Sequence, residues 1–169
     1  MSTKWLGIDG GTGCALPVAV WELAAEARAA SRARALTGQA LRDWRVTDPA
    51  DIDDIVLMVD ELITNAVVHG TGPVRLRLTL DGPQIVGEVT DDNPVTPITG
   101  VAPTAPAVLD WSEAGRGLLL VSALATDFGA RPEGTGKTVW FCRLLAAAPA
   151  APTAPAPAEP TTLTSADPL

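Results

Sequence analysis

The chain has 169 residues, 20 acidic against 12 basic, for a formal charge of −8; that balance repels phosphate backbones and argues against direct nucleic-acid binding, which draws on basic faces. The length suits one domain with a substantial core. Its two cysteines, Cys14 and Cys142, form no CxxC pair, which excludes a zinc ribbon or a disulfide framework, and no apolar run approaches the ~20 residues of a membrane span. A soluble protein of the reduced cytoplasm is the expectation, with no membrane association.

Residues 1 to 15 hold Gly7-Ile8-Asp9-Gly10-Gly11-Thr12-Gly13, glycine-rich enough for a flexible lead-in. Their likeness to the first phosphate loop of actin-like ATPases carries no weight, because that fold needs two large lobes for which this chain is too short. Residues 16 to 23 read as a short strand built on Val18, Val20 and Trp21. A helix follows from about Glu26 to Trp44, with Leu36, Ala40, Leu41 and Trp44 on its buried side and Gly38 as a weak point. Arg28, Arg32, Arg34, Arg42 and Arg45 give it a basic run, read as a solvated face, with a docking surface for an acidic partner protein as the alternative. Asp48-Pro49 and Asp51 are start signals for a second helix over 51 to 69, and Gly70 is its stop.

Val74 to Leu80 alternates apolar and polar residues, as a half-buried strand does. Asp81-Gly82 signals a hairpin, and Ile85 to Asp91 returns antiparallel. Four prolines, Pro94, Pro97, Pro103 and Pro106, break the stretch from 92 to 114 into a long connection, of the kind that often serves as a lid. A short helix over 116 to 125 and a last strand over 137 to 145 follow. Residues 146 to 169 are nearly all Ala, Pro, Thr and Ser, a composition expected to stay disordered. The elements assemble into an α+β fold: a two-layer α/β sandwich in which helices cover one face of a mixed, mostly antiparallel sheet over residues 16 to 145.

Chemistry concentrates in Asp60-Glu61-Leu62-Ile63-Thr64-Asn65-Ala66-Val67-Val68-His69-Gly70. Residues four apart on a helix lie about 40° from each other, so Glu61 and Asn65 point the same way. Ile55, Val59, Leu62 and Ala66 form the adjacent core stripe, which places the pair at the border between core and cleft. The plain alternative is a helix whose polar border meets water, and for His69 a residue that packs or caps the last turn. Asp91 stands where a strand gives out into a loop. Gly115-Arg116-Gly117 opens a helix, where free N–H groups attract phosphate. Gly136-Lys137-Thr138 is no Walker loop, since Arg131 stands where that motif needs Gly and a strand follows where it needs a helix.

Taken in this order, the four segments resemble the GHKL (histidine-kinase-like) ATPases, and more narrowly the actinobacterial ATP-binding proteins of the anti-sigma factor and serine-protein kinase group. The resemblance implies a Bergerat-type ATP-binding fold. It implies Glu61 as the group that orients or deprotonates an attacking hydroxyl, and Asn65 as the Mg²⁺ ligand. It further implies Asp91 as acceptor for the adenine amino group, Gly115, Arg116 and Gly117 at the phosphates, and Thr138 supporting the adenine site. Asn93 and Val95 stand where the wider superfamily has glycines. The cofactors implied are ATP and Mg²⁺; the partners implied are a sigma factor and an anti-sigma antagonist protein, with a homodimer left open. Phosphorylation of a serine on the antagonist is the activity expected, and its rival is a nucleotide-gated module that binds a partner without phosphoryl transfer.

Overall fold

A computed structural model describes residues 16–94 and 115–149. Residues 1–15, most of the expected lid (95–114) and residues 150–169 of the expected tail lie outside the described part. In chain order the elements are β1 (Val18–Leu23), α1 (Ala29–Asp43), α2 (Pro49–His69), β2 (Val74–Asp81), β3 (Gln84–Asp91), α3 (Gly115–Leu124), β4 (Asp127–Glu133) and β5 (Gly136–Leu144). The strands form one sheet in the order β1-β2-β3-β5-β4. All four ladders are antiparallel, so the sheet has no parallel pair among the described residues.

The helix α2 begins as its sequence requires. Asp48 caps it by accepting from Ala50 N at 2.8 Å and Asp51 N at 3.3 Å, and Pro49 occupies the first turn, where its missing N–H costs nothing. Gly70 closes it, its N–H bonded to the Ala66 carbonyl. One face of this long helix lies on the sheet: Ile55, Val59, Leu62 and Ala66 are all buried, together with Met58 and Ile63. The first helix packs beside it through Ala33, Thr37, Ala40 and Leu41, and Leu36 and Trp44 are partly buried against the same core.

Alternation decides what each strand presents to the helices. In β2, Val74, Leu76, Leu78 and Leu80 are buried, while Arg75 and Arg77 are exposed on the open face of the sheet. In β3 the inward set is Ile85, Gly87, Val89 and Asp91. Phe141 of β5 stands opposite Gly87, and its ring takes the space a side chain at 87 would need. The β2–β3 hairpin turns through Gly82 and Pro83, with Asp81 paired to Gln84 and Gly82 at φ +58°, the backbone a II′ turn asks of its first central residue.

The strand β4 has no counterpart in the sequence reading. Gly129 and Pro132 lower its β character, and Pro is tolerated because β4 is an edge strand, paired only to β5. Beside the start of β4 a polar clamp fastens the ends of three elements. Asp51, 2 % exposed, accepts from Arg143 Nη2 at 3.2 Å and from Ala146 N at 2.7 Å, while Arg143 also reaches Asp54 at 2.7 Å and the Leu124 carbonyl at 2.5 Å. Bonded structure therefore continues through Leu145, which is buried, to Ala146.

Candidate functional site

A cavity of about 190 Å³ opens between α2, the start of α3 and the ends of β3 and β5. Leu62 and Ala66 from α2, Val89 from β3, Leu118 from α3 and Val139 from β5 give it apolar walls. Among the described residues five polar ones interrupt them: Asn65, His69, Asp91, Asn93 and Lys137. A concave, mainly apolar pocket with a few convergent polar groups is the usual form of a small-molecule site.

Asp91 is the most constrained of the five. It is 2 % exposed, and two donors converge on one of its oxygens: Asn93 N at 2.8 Å and Lys137 Nζ at 3.1 Å, both to Oδ1. No bond between described residues involves Oδ2. The backbone around it is drawn in tightly. A Cβ at Gly70 would come 2.9 Å from Asp91 Cγ, and one at Gly136 would overlap the Asp91 carbonyl oxygen. The end of β3 is tied to the turn after α2 by Asp92 N to Thr71 O at 3.0 Å and Asn93 Nδ2 to His69 O at 2.5 Å. Each contact helps to fix the buried carboxylate in the gap between helix and sheet.

Lys137 is the residue that sequence reasoning missed. It lies directly opposite Asp91 in the β3–β5 ladder, shares the inward face with Val139 and Phe141, and is 6 % exposed. A buried ammonium is tolerated only when paired, and Asp91 is its partner. The period of two was a usable signal, because a strand that buries Val139 and Phe141 must turn Lys137 the same way. The same rule removes Thr138 from the cavity. Its hydroxyl bonds to Thr90 at 2.7 Å and to Glu133 on the other face of the sheet.

The structure brings Asn65 and Asp91 to the same cavity from different elements. Asn65 Nδ2 is buried and has no hydrogen-bond partner among the described residues, so the amide keeps unspent polarity in the cavity wall. Glu61, one turn earlier, does not line the cavity; its carboxylate lies against Gly117, where a Cβ would overlap Glu61 Oε2. Gly115, Arg116 and Gly117 form the first turn of α3, as the sequence suggested. His69 borders the cavity with an exposed side chain. Among the described residues no group of three or more His, Cys, Asp or Glu side chains could hold a metal, and no helix is long and apolar enough to cross a membrane.

Helices on one face of an antiparallel sheet, with a cavity floored by a buried aspartate and walled by a helix carrying Glu61 and Asn65, define a class already suggested by the motifs. Residues 23–143 match the histidine kinase-like ATPase domain, and the chain belongs to that family. Among solved structures, the RsbU and RsbW domains of Rv1364c from Mycobacterium tuberculosis align with a TM-score of 0.58 at 23 % identity, over 76 % of this chain and 32 % of that one. This likeness is one of fold, and the chain spans about a third of the length of that protein's chain. No curated protein matches the sequence.

Proposed function

We propose that the domain binds ATP with Mg²⁺ in the α2–β3–β5 cavity and acts as an anti-sigma regulator that phosphorylates a serine on an antagonist protein. One observation carries the nucleotide reading: a carboxylate buried at the cavity end whose Oδ1 is already bonded and whose Oδ2 is left for an incoming donor. An ionised carboxylate only accepts, so it suits the amino group of adenine and rejects the carbonyl of guanine. Membership of the histidine kinase-like ATPase family supports the same ligand.

The residues fit the metal as well. Mg²⁺ takes oxygen ligands and keeps several waters, so the amide oxygen of Asn65, which lines the cavity, would be enough to hold it beside a triphosphate. When bound it would neutralise charge on the phosphates. Glu61 is placed one turn before Asn65 and against the first turn of α3, whose free N–H groups suit the phosphate end of the ligand. In that position Glu61 orients the hydroxyl of the substrate serine and accepts its proton. The motifs' resemblance to the anti-sigma and serine-kinase group supports the choice of a protein serine as acceptor, with a sigma factor as the second partner.

The test is incubation with labelled ATP, Mg²⁺ and candidate antagonist proteins. Transfer to one of them is expected, and Glu61→Gln should keep ATP binding while lowering transfer by roughly 10²-fold. Full transfer by Glu61→Gln would remove the role assigned to Glu61. Absence of transfer by the unaltered protein to every candidate would favour a nucleotide-gated module that captures its partner without chemistry.

A further inference from the structure

The cavity holds a charged group for which the proposed function has no use. Lys137 carries an ammonium with three N–H donors and is 6 % exposed, yet among the described residues its one bond goes to Asp91 Oδ1, at 3.1 Å. A buried cation that lines the cavity therefore keeps two donors with no acceptor among the described residues. Leaving such donors without an acceptor is costly, and a pocket that keeps them is matched to a ligand that supplies one.

We propose that Lys137 reads the purine ring directly, donating to N1 of adenine while Asp91 accepts from the neighbouring 6-amino group. This role rests on the nucleotide reading of the cavity given above. Asp91 and Lys137 are directly opposed in the ladder and joined by an ion pair, so they present an acceptor and a donor side by side on one rigid edge. Adenine offers the complement, a donor at the 6-position next to an acceptor at N1. Guanine offers the reverse in the same seat, a carbonyl toward Asp91 and an N–H toward Lys137. Discrimination by two opposed polarities is stronger than by one, because the wrong base leaves both buried groups unpaired. The pairing also accounts for Asp91 spending only Oδ1 inside the protein.

Calorimetry with ATP, 1-deaza-ATP (N1 replaced by C–H) and 7-deaza-ATP tests this on the unaltered full chain. ATP and 7-deaza-ATP should bind alike, and 1-deaza-ATP should bind roughly tenfold or more weakly. Lys137→Met should then bind ATP and 1-deaza-ATP equally, the loss having been taken from ATP alone. A lysine that only holds Asp91 in place would weaken both ligands together, so a preference for ATP that survives in Lys137→Met overturns the proposal. Equal binding of ATP and 1-deaza-ATP by the unaltered chain overturns it without any variant, which keeps the test decisive if Lys137→Met does not fold. Failure of the unaltered chain to bind ATP at all overturns the nucleotide reading and this role with it.

Discussion

Gly117, at the start of α3, rests directly against the Glu61 carboxylate of α2: a methyl group at 117 would overlap Glu61 Oε2. Two helices thus meet at the one side chain proposed to handle the substrate proton, and the glycine is what lets them. The obstructed atom is the far end of a flexible side chain, so it can yield. Gly117→Ala should leave the melting temperature within a few degrees of the parent, since exchanges that displace only such an end cost about 1 kcal/mol or less. Phosphoryl transfer should nonetheless fall by roughly tenfold or more, because a misplaced base is a poor one. A large loss of stability with unaltered transfer would show that the contact serves packing.

Asn65 makes the opposite trade. Its Nδ2 is buried and unpartnered among the described residues, a state that costs rather than contributes stability. Asn65→Ala should therefore leave urea stability of the ligand-free protein unchanged or raise it by up to about 1 kcal/mol, while weakening ATP binding in the presence of Mg²⁺. The difference between titrations with Mg²⁺ and with a chelator isolates the metal-dependent part. Loss of stability without loss of that part would contradict the assignment.

Stability resides elsewhere, in the clamp formed by Asp51 and Arg143. Removing the arginine leaves a carboxylate 2 % exposed with the Ala146 N–H as its one remaining partner among the described residues. Arg143 is itself 22 % exposed, which discounts the effect, so Arg143→Met should lower unfolding free energy by about 2–3 kcal/mol. Arg77→Met, which breaks a 3.6 Å contact to Glu88 from a side chain 52 % exposed, should cost less than about 1 kcal/mol. Urea melts of the two variants supply the comparison.

Cys142 sits on the open face of the sheet, bonded to Gln84 Oε1 at 3.1 Å. Burial, and then the negative charges of Asp127 and Asp81, push its thiol above the ordinary 9.0. A raised value means the fold favours the protonated form, so the native state carries less thiolate at any given pH than the unfolded chain does. In a Cys14→Ser background, alkylation at pH 7–8 should be slower in the native protein than in urea. The native rate should keep climbing beyond pH 9, and stability should decline as pH rises from about 9 upward. Equal native and unfolded rates at pH 8 would contradict this.

Local pattern made much of this architecture legible. The stripe of Ile55, Val59, Leu62 and Ala66 announced the buried face of α2, and the alternation in β2 announced its register to the core. Capping chemistry at Asp48-Pro49 and Gly70 marked the ends of α2 because those residues act on their immediate neighbours. What escaped depended on distance along the chain. Pro132 and Gly129 disguised β4, whose strand state is imposed by β5. Nothing near Arg143 predicts Asp51, 92 residues away. In the site, Asn65 and Asp91 could be chosen from motif alone, and both line the cavity. Lys137 was passed over for Thr138 because a motif carries no face. Only the ladder that sets Lys137 opposite Asp91 tells which of two adjacent residues looks inward.

The proline in β4 governs how the sheet ends. Pro132 lies in the outermost strand, one residue before the Glu133–Gly136 pair that closes the last hairpin, and has no N–H to offer. A second chain drawing alongside β4 would meet a missing rung, and Arg131 and Glu133 on either side bring charge to the same margin. That border is sealed against growth in the way a knitted edge is cast off. At the other border, β1 presents Val18 and Val20, both more than a third exposed, and carries no such interruption between residues 18 and 23. Any extension of the sheet by a neighbouring strand is thereby directed to one side of the molecule, the side away from Asp91 and Lys137.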